Sequence, residues 1–217
     1  MVDVYRFQDE QIVMSATQED YRVLDFKLSL GDTQIALVSK FMYGAHDLKP
    51  GQQVSHVSVY SMKSIMKAFE PLIKKDEEKV EFDKLKAKTV AAEQSTEELR
   101  IIDHEVSLPK PDLQIFSNDV EFTKVALFSD EDHVYLAKKN SNLMKYNVKE
   151  SCSKAESSVQ LKSSQINSLE FSARFEFLIV CCNDSVSLID PADLSTVHSF
   201  NTKFPVNCAK ITPLLYD

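Results

Sequence analysis

Residues 165–217 constrain the fold most, because they spell out one β unit and then begin it again. Ile166, Leu169 and Phe171 make a short apolar strand, and Phe177–Cys182 is a continuous apolar run. Such a run fits a strand buried on both faces. Asn183-Asp184-Ser185 is turn chemistry, since Asn and Asp accept left-handed backbone and bond their own neighbours. Val186–Ile189 is a third strand and Val197–Phe200 a fourth. Val206–Thr212 (VNCAKIT) then opens as Ile166–Ser172 (INSLEFS) did. A chain that restarts a β pattern in this way is held to a serial array of sheets, because one such unit cannot bury its apolar face alone.

The same pattern stands upstream. Phe122–Ser129 (FTKVALFS) ends in Phe-Ser as Ile166–Ser172 does; aligned there, Phe128 and Phe171 are 43 residues apart, and Ile211 lies 40 further on. Those spacings match the roughly 40–45 residues of a WD-type propeller blade. His133–Lys138, Leu143–Val148 and Ser158–Leu161 supply strands two to four, with Tyr146-Asn147 where a blade carries Trp-Asp. Nearer the start, Tyr21–Ser29 alternates Val23, Asp25 and Lys27 against Leu24, Phe26 and Leu28. Gln34–Ser39 and Val54–Tyr60 follow as further strands, while Val2–Phe7 and Gln11–Ala16 read as strands three and four of an earlier blade.

Between Ser64 and Pro111 the period fails. The stretch is rich in Lys, Glu and Ala, which form helices well, and its charges of both signs are interspersed as on a solvated face. It reads as a charged helical insertion, a solvated spacer or else a docking helix. The expectation is therefore an all-β, WD40-type β-propeller that is partial: about three blades with part-blades at both ends, in one domain. Its pieces are 1–18 (end of a blade), 19–63 with 112–120 (a blade), 64–111 (insertion), 121–163 and 164–201 (blades), and 202–217 (first strand of the next). The mid-blade start and stop lead to the expectation of a fragment or truncated gene, unless a partner closes the ring.

Composition narrows function. The net charge is −8, with 33 acidic and 25 basic residues, which argues against tracking a phosphate backbone directly. No apolar run reaches the ~18–20 residues of a membrane span, and the start lacks a signal-peptide core, so a cytoplasmic protein is expected. Only Gly31, Gly44 and Gly51 are glycines, too few and too scattered for a glycine-rich phosphate loop. Cys152, Cys181, Cys182 and Cys208 show no CxxC spacing and read as reduced core thiols, with a metal or redox site as the rival.

No catalytic constellation emerges. His46, His56, His104, His133 and His198 are scattered without the i, i+4 spacing of a zinc helix, and there is no GxSxG elbow. No cofactor is expected, and no enzyme activity. Asp130-Glu131-Asp132 reads as a turn, while Asp184 and Asp190 flank a strand in positions that fit a structural role before a partner contact.

The run from Ile189 to Leu215 resembles subunit i of eukaryotic translation initiation factor 3, a WD-repeat family. The residues that carry the resemblance are Asp190, Asp193-Leu194, Phe200, Thr202, Pro205-Val206-Asn207, Ala209, Ile211 and Thr212-Pro213, with Gln165-Ile166-Asn167 upstream. It implies a seven-bladed propeller family and a non-catalytic scaffold that binds subunits b and g and supports mRNA recruitment to the small ribosomal subunit. The candidate partner-binding residues are Asp184, Asp190, Thr202, Lys203 and Asn207. Lys203 stands where that family has an acid. The alternatives are a WD scaffold of another complex, such as a coat or a ubiquitin ligase, and more remotely a hydrolase carried on a propeller.

Overall fold

A computed structural model describes residues 2–6, 11–16, 21–29, 31–42, 53–68, 109–128, 132–150, 154–162 and 165–211, the first two stretches as backbone. Two compact units emerge, one of Met1–Glu19 with Lys63–Pro109 and one of Asp20–Met62 with Lys110–Asp217. In the first, β1 (Val2–Arg6) and β2 (Gln11–Ala16) form an antiparallel pair whose register shifts between Val4 and Tyr5.

The second unit is three antiparallel meanders of four strands. β3 (Tyr21–Leu28), β4 (Gln34–Phe41), β5 (Ser55–Ser61) and β6 (Leu113–Ser117) make the first sheet in chain order. β7 (Phe122–Leu127), β8 (His133–Lys138), β9 (Asn142–Asn147) and β10 (Ser157–Gln160) make the second. β11 (Ile166–Ser172), β12 (Phe177–Cys182), β13 (Ser185–Ile189) and β14 (Thr196–Asn201) make the third. The first strands β3, β7 and β11 lie side by side, with β7 in the middle. Serial meanders stacked through their first strands are the blade architecture of a β-propeller.

Two apolar cores hold the stack. Ala36, Val38, Val57, Val59 and Ile115 of the first sheet meet Val125, Leu127, Val134, Leu136 and Tyr146 of the second. On the second sheet's other side Ala126, Tyr135, Ala137 and Leu143 meet Leu169, Leu178, Val180, Cys182 and Ile189 of the third. Each side chain of this size, fully buried, contributes about 1.5–3 kcal/mol of transfer free energy. The middle sheet is thus apolar on both faces, which is why β8 is buried from Val134 through Ala137.

A register shift recurs in every first strand: between Val23 and Asp25, Phe122 and Lys124, and Ile166 and Ser168. The extra residue is Leu24, Thr123 and Asn167. These bulges set the true equivalence of the repeats: Asp25 matches Lys124 and Ser168, and Lys27 matches Ala126 and Glu170. The alignment of Phe128 with Phe171 is therefore one residue out, since Phe128 stands where Ser172 does, opposite the first residue of its second strand.

The described helical structure is one short segment, 62–68, directly after β5. The rest of the charged insertion expected at 64–111 lies outside the described residues up to 108. β6 re-enters the first sheet beside β5 after it, and the Asp112 carboxylate accepts the Ser61 N–H at 2.6 Å. No strand forms over 206–211, where a new first strand was expected.

Candidate functional site

The third sheet carries the candidate residues, at different places. Asp184 is exposed in the β12–β13 turn, takes the Ser185 hydroxyl at 3.2 Å, and its carbonyl accepts the Thr202 N–H at 2.8 Å. Thr202 in turn donates its hydroxyl to the Phe204 carbonyl at 2.9 Å. Lys203 beside it is exposed, and so is Asn207. Asp190 stands past the other end of β13; six residues of strand at about 3.3 Å each put it roughly 20 Å from Asp184. Asp184, Thr202 and Lys203 thus gather at one end of the sheet, and Asp190 does not join them.

Asp190 is built into a turn. Its Oδ1 accepts the Ala192 N–H at 2.8 Å, its N–H reaches the Ser195 carbonyl at 2.9 Å, and its own carbonyl takes the Leu194 N–H at 2.9 Å. Leu194 has φ 62 and is 1% exposed, so this turn drives an aliphatic plug into the second core. Asn147 does the same work after β9, its Oδ1 accepting the N–H groups of Lys149 and Glu150 at 2.9 and 3.2 Å. Tyr146-Asn147 and Ile189-Asp190 are therefore equivalent strand ends, each a buried side chain followed by an Asx turn.

An open concavity lies elsewhere, at the Asp190 end, between the second and third sheets. This cleft of about 450 Å³ is lined by Phe128, Tyr135, Phe175, Glu176, Phe177 and Asp190. The Tyr135 hydroxyl donates to the Pro191 carbonyl at 3.0 Å, tying the two sheets at its base. Phe128 packs on Phe171 with centroids 4.4 Å apart. His133 and Lys145 also line it, but both are engaged by Glu156, at 3.5 and 3.8 Å, and Lys145 also reaches the Ala192 carbonyl at 3.4 Å. Sequence reasoning singled out Asp190 and His133 of this set and did not join them, because the lining comes from five separate segments.

The other face of the third sheet is covered at β12, where Ile179 and Cys181 are buried, and is open toward β14. Val186 sits opposite Phe200 and Leu188 opposite His198, on the side away from the second core. Phe200 is 51% exposed and Phe204 78%. Every residue of β14 is exposed.

Of the described cysteines, Cys181 and Cys182 are buried and in no disulfide, on opposite faces of β12, as expected of core residues, and burial pushes the Cys181 thiol up. Cys208 is exposed, so the core-thiol reading fails there. Its neighbours Asn207 and Lys210 are exposed as well. His56 is buried between Tyr21, 4.6 Å away, and Phe116, 6.1 Å away, and burial lowers its pKa to about 4. His46 and His104 lie outside the described residues. Among the described residues no group of three or more His, Cys, Asp or Glu could hold a metal, and no helix is long and apolar enough to cross a membrane.

No protein-family model matches this chain, and no curated protein matches it. Among solved structures, the WD40 domain of coronin from Toxoplasma gondii is similar, with 10% identity and a TM-score of 0.46 over 82% of this chain and 33% of that one. The chain spans about a third of the length of that structure.

Proposed function

We propose that this chain is a non-catalytic protein-interaction scaffold that docks its partner on the open side of the third sheet. The observation that carries the reading is the exposed pair Phe200 and Phe204, beside the half-buried Val186 and Leu188, on a sheet whose other face is packed. A rigid sheet offering an apolar surface beside the outer edge of β14, which pairs with no other described strand, is suited to receive a partner helix or strand.

The complex it serves is, on this reading, eukaryotic translation initiation factor 3, with the chain in the position of subunit i. Support comes from the residues of the resemblance, of which Phe200 lies on that face. Subunits b and g would be its direct partners and the small ribosomal subunit an indirect one, in the cytoplasm.

Affinity purification of the tagged chain from its own cells tests both levels. Recovery of initiation-factor subunits, lost with Phe200→Asp and Phe204→Asp, is the expected result. Recovery of coat or ubiquitin-ligase components by the same face would keep the scaffold and overturn the assignment of complex. Turnover of a substrate with no stable partner would overturn both.

A further inference from the structure

The cleft between the second and third sheets has a chemistry of its own, independent of the open face. Phe175, Glu176 and Phe177 are consecutive at the β11–β12 turn and all line it. Glu176 has φ 54, so the turn takes left-handed backbone at the carboxylate between the two rings. Across the cleft Asp190 uses one carboxylate oxygen on the Ala192 N–H. Among the described residues neither Glu176 nor Asp190 is in an ion pair, whereas Lys145 of the same cleft is paired with Glu156, which also lies 3.5 Å from His133. The Arg174 guanidinium stands 5.6 Å from the centre of the Phe175 ring, so that ring already attracts a cation.

We propose that this cleft binds a basic side chain, arginine or lysine, projecting from an extended segment of a partner protein. Its apolar stem lies on the Phe128, Phe175 and Phe177 rings, and its charged head meets the carboxylates of Glu176 and Asp190. A cleft of about 450 Å³ is near the small end of ligand sites, room for a side chain rather than a folded element. Aromatic faces with carboxylates at the rim favour a cation through ring electrostatics and charge-assisted hydrogen bonds together. An anionic partner finds the unpaired charge in the cleft to be of its own sign.

Fluorescence polarisation with the full chain tests this, using a fluorescein-labelled Gly-Ser peptide with two central arginines and its citrulline counterpart. The arginine peptide should bind saturably, and the citrulline peptide at least about tenfold more weakly, the equivalent of about 1.4 kcal/mol. Glu176→Gln combined with Asp190→Asn, which keeps the acceptor for Ala192, should cost a similar factor without changing the melting temperature. Phe175→Ala should weaken binding about threefold or more. Asp184→Asn removes the same charge at the far end of the sheet and should change nothing. Wild-type binding by the doubly neutralised cleft, no saturable binding by the arginine peptide, or an equal loss in Asp184→Asn would each overturn the proposal.

Discussion

Lys27 and Glu170, one on β3 and one on β11, form an ion pair although 143 residues separate them. They hold the same position of the first and third sheets, counted from the bulge of each first strand. Ala126 holds that position in β7 between them and is 2% exposed.

Replacing Ala126 by Leu should therefore act twice. It overpacks the second core, at a cost of about 1–3 kcal/mol, and it separates Lys27 from Glu170. Urea unfolding followed by circular dichroism should show a lower midpoint, with Lys27→Met then adding nothing further.

Asp25 accepts the N–H of Val125 at 3.0 Å, closing a backbone group that the β7 ladder leaves open at the seam between sheets. Asp25→Ala strands that N–H, a loss of about 1–3 kcal/mol, whereas Asp25→Asn keeps an acceptor. Burial raises the Asp25 pKa above 3.8 despite the N–H and the nearby lysines. The folded state therefore holds this proton more tightly than the unfolded chain, and its contribution falls as pH rises through the window just above 3.8. Asp25→Asn should remain folded at neutral pH and lack that dependence in a pH series of melting curves.

His56 acts in the opposite sense. Its folded pKa is about 4 against 6.5 for the free side chain, and its Nε2 has no hydrogen-bond partner. The unfolded chain takes up the proton first, so the stability is present above about 6.5 and is lost as pH falls toward 4. The shift amounts to roughly 3 kcal/mol at most. His56→Phe, surrounded by Tyr21 and Phe116, should flatten the acid limb of the stability profile; an unchanged limb would assign it to other groups.

Thiol labelling separates the cysteines. Cys208 should react with iodoacetamide in the folded protein, and Cys181 and Cys182 only after denaturation, since burial disfavours the Cys181 thiolate. Mass spectrometry of the digested protein reads each site directly.

The strands were open to sequence reading because each pattern answers to burial. Phe177–Cys182 is apolar throughout, and its sheet has one face on a core and the other partly covered. Tyr21–Leu28 alternates, yet it is Phe26 and Leu28 that stay exposed while Asp25 and Lys27 find specific partners on the second and third sheets. The bulges were hidden, because one inserted residue shifts the side-chain alternation without any residue type that announces it. That shift turned Phe-Ser into a false marker. The cleft was hidden for a different reason: Phe128, Tyr135, Phe175 and Asp190 come together only once two sheets stack. Among the candidate residues, Asp184 and Thr202 meet through a backbone bond that no side chain signals.

Charge reversal at positions 27 and 170 tests the stacking order most directly. Lys27→Glu and Glu170→Lys should each lower stability by up to about 1 kcal/mol, as expected for a half-exposed pair. The double variant should recover most of the loss, since only contacting residues couple in such a cycle. Additive losses with no recovery would mean that the first and third sheets do not meet across the second, and the serial stack would be contradicted.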